Sequence, residues 1–444
     1  MMALLASESF VGLRTFTADE VISRYVFTFY AAYIVAFLLT PLMRMVAIHY
    51  DIIDKPDGTR KVHTAPVAYL GGVAVFMGWL AGLTISQFLL LHHIEPDTEL
   101  PKNLVVNFGI VVGACVIVLL GIWDDVMGLN PWRKIAGQVF AAVCLLATGV
   151  GRTAAWVFLK YILMRTSLWL GWPDPQATAV LQEHWIVEVF SILFVIGIVV
   201  VCCNAANLMD GLDGLCGGVT AIVAAGFLFL AVNLATSSGG VNVNLDATRV
   251  VLGLALLGAV LAFVPFNFNP ASIFMGDTGS MFLGFCCATM MILFASDPVH
   301  FKWFLASMVM FALPLLDTAL AFVRRWVNRR PLFGADRHHF HHQLVARGFT
   351  VKQTVLISYG LALACALLGA AIVFIRTRYA VGIYLVVFGS VIVAVYKMGM
   401  VHERVQSVPR QPLGAAAAQA AGDVAPAGAL DVTEARQVGQ ARGQ

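Results

Sequence analysis

The sequence contains little charge. Only 12% of its 444 residues are Asp, Glu, Lys or Arg, whereas 60% are hydrophobic. Soluble proteins carry charge on about a quarter of their residues, so this composition indicates a membrane protein. The net charge of +3 is small, and no stretch alternates aromatic with basic residues. We therefore expect no nucleic-acid partner.

Disulfide, zinc-finger and signal-peptide patterns are also missing. The eight cysteines lie in or beside apolar runs without any CxxC pair, and we interpret them as small hydrophobic residues. The opening MMALLASESF has no basic segment before its apolar stretch, so it does not predict a cleavable signal peptide. Residues 401–444 include the Ala/Gly/Pro-rich run LGAAAAQAAGDVAPAGAL, which has too few bulky apolar side chains to form a core and predicts a disordered tail.

Long apolar runs are abundant. Runs long enough to cross about 30 Å of hydrocarbon occur at roughly 24–48, 69–91, 104–122, 134–150, 186–203, 215–235, 249–266, 279–296, 303–323, 353–375 and 379–397. The sequence thus predicts an all-α polytopic membrane protein with about eleven transmembrane helices. Its domains would be an N-terminal segment 1–23, a transmembrane domain 24–400 and the tail 401–444. Loops after odd-numbered runs carry twelve lysines and arginines, against seven in the opposite loops, so the first set of loops and the C-terminus should be cytoplasmic.

Two loops on the predicted cytoplasmic side are basic. The first contains RKVH (60–63) ahead of a Gly-Gly pair, and the last contains DRHHFHHQL (336–344). The first suits an anion, although a simple positive-inside anchor stays open. The histidine spacing is similar to that of membrane di-iron oxygenases, but those need several histidine boxes. A zinc site and a solvated basic loop stay open, and binding of phosphate or sugar is favoured.

Three further loops on that side hold acids next to apolar helices. They contain Asp124 and Asp125, then NAANLMDGLDGL (204–215), and then Asp277 between glycines at a predicted helix start. Acids at the edge of hydrocarbon need a cation or a function, and Mg²⁺ is a hard cation that prefers oxygen ligands. The glycines of the middle loop predict a broken helix end that curls round a ligand. Thr278 and Ser280 could cap the helix that begins near Asp277.

Together these loops resemble the polyprenyl-phosphate N-acetylhexosamine-1-phosphate transferases. The similar stretches, within about 50–350, are RKVH with its Gly-Gly, DDVMGLNPWRKIAGQ, NAANLMDGLDGL, NPASIFMGDTGS and DRHHFHHQLVARGF. The H-x-H-H of the last stretch is similar to the branch that uses UDP-N-acetylglucosamine, whereas the UDP-N-acetylmuramoyl-pentapeptide branch has three consecutive histidines. The resemblance implies transfer of N-acetylglucosamine 1-phosphate to undecaprenyl phosphate with release of UMP, which begins a cell-envelope polysaccharide. The muramoyl-pentapeptide reaction stays the alternative.

The resemblance also implies roles for individual residues. It makes Asp124, Asp125 and Asp277 catalytic, with Asp277 and Asp125 as ligands of Mg²⁺ or, in its place, Mn²⁺. It assigns substrate binding to Lys61, His63, Lys134, Asn204, Asn207, Asp210, Asp213, Asn267, Phe274, Arg337, His339, His341 and His342. In this interpretation Phe274 stacks on uracil, and the basic last loop forms a cationic wall of the sugar pocket.

The resemblance implies a bacterial inner-membrane enzyme that works in the lipid bilayer, and it leaves a homodimer open. Whether the reaction has one step or two is not decided by the sequence. A phosphate monoester is already largely a dianion near pH 7, so we expect direct attack by the lipid phosphate, with Asp124 mainly positioning. Two other classes stay as alternatives. A transporter would need midplane sites and internal repeats, and a histidine metalloenzyme would need zinc or iron.

Overall fold

The computed structural model describes most of the transmembrane domain. The described residues are 17–54, 66–92, 106–152, 154, 185–237, 243–296, 301–329, 339–376, 379–380, 382–386 and 389. The predicted tail 401–444 and residues 155–184 lie outside them. So do three predicted site residues, Lys61, His63 and Arg337, whose roles stay predictions.

The described part is a bundle of helices with one two-residue hairpin. The helices are α1 Ala18–His49, α2 Gly71–His92, α3 Phe108–Met127, α4 Pro131–Ala147, α5 Trp185–Met209, α6 Leu215–Ser237, α7 Val243–Asn267, α8 Gly276–Ala295, α9 Lys302–Met310, α10 Ala312–Val327, α11 Phe340–Ala346 and α12 Val351–Val373. Strand β1 (Ile53–Asp54) pairs antiparallel with β2 (Val67–Ala68). Many large apolar side chains on the outside of the bundle are exposed, as a lipid-facing surface requires.

Local sequence signals fix several helix starts. Thr17 and Glu20 form a capping box at the start of α1, which places the helix start at Ala18 rather than at 24. The polar first turn explains the difference, because a search for apolar runs cannot detect it. Asn130 caps α4 ahead of Pro131 at the first helical position, where proline's missing N–H is harmless.

Helix α8 is the centre of the bundle. Of its residues only Asp277, near its start, is not buried. Three neighbouring helices touch its backbone at glycines: a Cβ added to Gly121 of α3, Gly72 of α2 or Gly284 of α8 would overlap backbone atoms of the facing helix. The absence of side chains at these crossings lets the helix backbones approach closely.

The structure confirms the all-α polytopic fold but not eleven spans. Among the described residues, eight helices are long and apolar enough to cross a membrane, or nine if α9 and α10 form one broken span bent by 74°. The predicted run 134–150 corresponds to α4, whose 17 residues fall short of the roughly 20 that a span needs. The predicted run 379–397 lies mostly outside the described residues.

Candidate active site

A lysine flanked by two acids lies at one end of the bundle. Lys134 Nζ is 2.6 Å from Asp277 Oδ2 and also contacts Asp124 Oδ2. The exposed fraction of the side chain is 4% for Asp124, 21% for Lys134 and 33% for Asp277. We call these three residues the acid–lysine centre. It joins the end of α3, the start of α4 and the start of α8, so segments distant in sequence converge on it.

Asp125 points to the start of α8 instead. Its Oδ1 accepts the Asp277 N–H at 2.8 Å, and its Oδ2 accepts the N–H and hydroxyl of Thr278 at 3.1 and 2.6 Å. The predicted local cap by Thr278 and Ser280 is therefore wrong. An acid from α3 caps α8, and Ser280 donates to the Gly276 carbonyl at 3.0 Å. The negative charge at a helix N-terminus is stabilising, and this cap fixes Asp277.

Two asparagines on the last turns of α5 face the site from another side. Asn207 donates to Asp277 Oδ1 at 2.7 Å and to the Ser280 hydroxyl at 3.0 Å. Asn204 donates to the Gln138 side chain and to the Val200 carbonyl, each at 2.8 Å. Both amide hydrogens of Asn204 are thus used within the protein. Asn207 orients Asp277, whereas Asn204 joins α5 to α4.

Residues 210–214 form the turn after α5, as the glycine pattern predicted. Burial, followed by the negative charge of Asp277 and of nearby acids, raises the pKa of Asp210 to about 8, so near pH 7 this carboxyl is mostly protonated and can donate a hydrogen bond. Asp213 accepts from Asn269 and from the Ala271 N–H at 2.9 and 3.0 Å.

The loop between α7 and α8 closes over the same turn. Asn267 accepts the Gly214 N–H at 3.1 Å and donates to the Ile273 carbonyl at 3.0 Å. Phe274 pairs its backbone with Ala68 and Gly71, and its ring centroid lies 6.0 Å from that of Tyr69. The loop before α2 and the loop before α8 are thereby joined, and the partly exposed Phe274 ring borders the site.

The histidines at 339, 341 and 342, here called the histidine cluster, contact the 210–214 turn through His341. A Cβ added to Gly211 would overlap His341 Nε2. Burial, followed by the charge of His342, lowers the pKa of His341 to about 3, so this imidazole is neutral at pH 7. The predicted cationic wall is therefore wrong for His341, because a buried imidazole cannot hold a proton without a strong counter-charge.

Carboxylate oxygens, not histidines, form the better divalent-metal donors here. The described residues contain no group of three or more His, Cys, Asp or Glu side chains arranged to hold a metal, which a structural zinc site would need. Mg²⁺ is commonly held by one or two carboxylates together with substrate phosphates. Asp124 and Asp277 already converge on one cation, the Lys134 ammonium, so their chemistry fits Mg²⁺ or Mn²⁺. Both Asp125 oxygens serve α8, and its predicted metal role stays a prediction.

Three residues of this end were not predicted. Gln138 bridges Asn204 to Met281, Tyr359 donates to the Gly214 carbonyl at 2.6 Å, and Asp317 contacts His339. Gln138 and Asp317 are polar residues inside otherwise apolar runs, and that pattern alone indicates a buried polar role. Tyr359 carries no such signal, because tyrosine is common in membrane helices.

Comparisons with known proteins indicate the family of this chain. Residues 107–295 match the model of the family described as "Glycosyl transferase family 4". A probable undecaprenyl-phosphate N-acetylglucosaminyl 1-phosphate transferase of Bacillus subtilis (strain 168) is 31% identical over 341 residues, covering 77% of this chain and 83% of that protein. The decaprenyl-phosphate N-acetylglucosaminephosphotransferase of Mycobacterium tuberculosis (strain ATCC 25618 / H37Rv) is 32% identical over 342 residues, covering 74% and 77%. A phospho-N-acetylmuramoyl-pentapeptide-transferase of Moorella thermoacetica is 29% identical over 327 residues, covering 71% and 87%.

Proposed function

The chain belongs to the polyprenyl-phosphate N-acetylhexosamine-1-phosphate transferase family, and we propose that it transfers N-acetylglucosamine 1-phosphate from UDP-N-acetylglucosamine to undecaprenyl phosphate. The observation that carries the proposal is the acid–lysine centre beside the 210–214 turn and the histidine cluster. Two relatives named for N-acetylglucosamine transfer, together with the H-x-H-H motif, favour this sugar over the muramoyl pentapeptide. A transporter is disfavoured because the polar residues gather at one end of the bundle rather than midway along it.

The reaction joins two anions, so charge is the main obstacle. The oxygen of the lipid phosphate forms a bond to the sugar-proximal phosphorus of the nucleotide sugar, and the bond from that phosphorus to the UMP oxygen breaks. Lys134 supplies a positive charge next to Asp124 and Asp277, where it can pair with a phosphoryl oxygen. Bound Mg²⁺ or Mn²⁺, held by Asp277 and Asp124, would neutralise further charge on these oxygens.

We propose that Asp124 positions Lys134 rather than acting as a base or nucleophile. Its Oδ1 already accepts the Leu129 N–H at 2.7 Å, and its other oxygen contacts Lys134. The attacking phosphate is largely dianionic near pH 7, so it has little proton to lose. Asp125 holds the start of α8 so that Asp277 keeps its place.

On the donor side, Asp210 and Asp213 are proposed to bind the nucleotide, and Phe274 to stack on uracil. Protonated Asp210 would donate a hydrogen bond to a uracil carbonyl. Neutral His341 suits a polar, uncharged group such as the acetamido sugar, whereas Lys61, His63 and Arg337 would hold the pyrophosphate. UDP-sugars are cytoplasmic, so we place this end of the bundle and the C-terminus at the cytoplasmic side of a bacterial inner membrane. A homodimer stays a prediction.

The experiment is a UMP-release assay with purified protein, undecaprenyl phosphate and Mg²⁺. UDP-N-acetylglucosamine, other UDP-N-acetylhexosamines and UDP-N-acetylmuramoyl-pentapeptide are supplied singly, and UDP-N-acetylglucosamine is expected to react fastest. Asp277→Asn should abolish release. Asp246→Asn, which changes a buried acid far from the site, is the matched control and should retain activity. Folded protein that releases no UMP with any of these donors would refute the proposal.

Direct attack has its own test. The protein is incubated with UDP-[¹⁴C]N-acetylglucosamine without lipid acceptor, and the label on the denatured protein is measured. Direct attack predicts no protein-bound label and no UMP burst. Label that Asp124→Asn removes would instead establish a covalent intermediate on that residue.

A further inference from the structure

Asp317 is a buried acid that none of the loop motifs includes. It lies within α10 in the apolar stretch ALPLLDTALAF, and only 8% of its surface is exposed. Burial of a carboxylate costs desolvation free energy unless hydrogen bonds or charges compensate it. The partners of this side chain therefore identify its role.

Both carboxylate oxygens of Asp317 are directed to the start of α11. Oδ1 accepts the Phe340 N–H at 2.8 Å, and Oδ2 lies 3.1 Å from His339 Nδ1. Phe340 is the first residue of α11 and His339 is its N-cap, which provides no side-chain cap of its own. One side chain from a different helix thus binds both the backbone and the first imidazole of the histidine cluster.

The contact continues from His339 to the 210–214 turn. The rings of His339 and His341 are stacked, with centroids 5.7 Å apart and planes within 6° of each other. The His341 ring occupies the space beside Gly211 where a side chain would otherwise lie. Asp317 is therefore connected through two stacked imidazoles to the turn that holds Asp210 and Asp213.

We propose that Asp317 is the positioning residue of the histidine cluster and acts through His339. Because a carboxylate only accepts hydrogen bonds, it selects the His339 form that carries a proton on Nδ1. In the neutral ring, Nε2 is then the acceptor. The inference rests on the proposed function in one respect: the group that His339 meets through Nε2 is part of the nucleotide sugar.

The activity test compares Asp317→Asn, His339→Ala and the double variant in the UMP-release assay. Asn retains the size and an acceptor for the Phe340 N–H, but its amide N–H₂ opposes the Nδ1 proton and favours the other tautomer. We expect kcat/KM for the nucleotide sugar to fall about tenfold to a hundredfold, the factor that matches loss of one charge-assisted hydrogen bond. The KM for undecaprenyl phosphate should not change. Asp317→Glu, which restores the charge, should recover part of the loss.

The double variant tests whether Asp317 acts through His339. If it does, Asp317→Asn/His339→Ala is no slower than His339→Ala alone, because the effects of coupled residues do not add. Losses that multiply, or equal losses in Asp317→Glu and Asp317→Asn, would overturn the proposal. Asp246→Asn serves as the control for destabilisation, because it also removes a buried carboxylate and should leave the kinetics of the folded protein unchanged.

A second measurement needs no enzymatic activity. Hydrogen exchange of residues 339–346 is followed in the full-length protein and in Asp317→Ala, which loses both hydrogen bonds. We expect exchange in this segment to accelerate at least about tenfold, the equivalent of one lost hydrogen bond of roughly 1.4 kcal/mol. Unchanged exchange would overturn the proposal whatever the kinetics show. If the wild-type protein releases no UMP but exchange in residues 339–346 is accelerated in Asp317→Ala, only the proposed function is refuted.

Discussion

Replacement of Lys134 by Gln should tighten divalent-metal binding while slowing the reaction. The Lys134 ammonium contacts both Asp124 and Asp277, the two acids proposed as ligands. A metal that binds both acids must weaken these contacts. The neutral Gln side chain competes less well for the carboxylates, so each acid becomes more available as a ligand.

The magnitude follows from the contact with Asp277. At 2.6 Å and an effective dielectric constant of about 20, the Coulomb attraction is roughly 6 kcal/mol. Exposure of 33% of the Asp277 side chain and the desolvation of both groups reduce this value. We adopt about 2 kcal/mol, within the range of charge-assisted hydrogen bonds. Removal of Lys134 should therefore raise metal affinity by about 30-fold.

The assay is calorimetric titration of Mn²⁺ into purified protein, with UMP release measured in parallel. Lys302→Gln is the matched control. It makes the same change of charge at the other end of the bundle, where Lys302 donates to the Val373 carbonyl at 2.7 Å. Equal or weaker Mn²⁺ binding by Lys134→Gln than by wild type would refute the reasoning, because it would mean that Lys134 does not compete for these acids.

Three further predictions concern packing and pH. Gly121→Ala should separate α3 from α8 and abolish UMP release. The control Gly197→Ala, with nothing within 4 Å of the added methyl group, should be neutral or stabilising. Normal activity in Gly121→Ala would contradict the close approach of α3 to the backbone of α8. His341 is protonated in the unfolded chain below about pH 6.5 but not in the folded protein, whose His341 pKa is about 3. The contribution of His341 to the free energy of unfolding should therefore be nearly constant above about pH 6.5 and about 2 kcal/mol smaller at pH 5. The raised pKa of Asp210 gives a slope of the opposite sign, so the test is the difference between wild type and His341→Gln in thermal unfolding. An equal slope in both proteins would argue against a neutral buried imidazole. Arg249→Met should destabilise the protein by about 3–5 kcal/mol, because it removes the contact of Arg249 Nη1 with Asp246 at 2.7 Å. The folded fraction should keep its kcat. A lowered kcat would show that the two ends of the bundle are coupled.

The site was predictable from the sequence wherever a polar group follows an apolar run. Asp124, Asn207 and Asp277 were identified in this way, because charged and amide groups at the edge of hydrocarbon need partners. The broken helix end at 210–214 followed from its glycines. These signals are local in the sequence, so they can be detected without knowledge of the fold.

Other features depend on tertiary contacts that no local pattern contains. The metal role of Asp125 stays a prediction, but the cap that its oxygens form on α8 could not be predicted, because it requires the close approach of Gly121 to Thr278. The bend between α9 and α10 lies in one continuous apolar run, in which Pro314 is the local signal for a helix break that the count of apolar runs did not use. The protonation of His341 depends on its burial against Gly211. The Asp125 cap and the burial of His341 concern how two distant segments meet, not what each segment is.

The close packing of α8 against three helices restricts its motion during turnover. Three helices contact its backbone without intervening side chains, so α8 has little freedom to slide or rotate. Asp277 is then a fixed reference point at the site. Lys134 is carried on a flexible four-carbon stem. Adjustment to the two substrates should therefore come from long side chains such as that of Lys134 around a stationary acid, and distances between spectroscopic labels on α8 and α5 should not change when UMP binds.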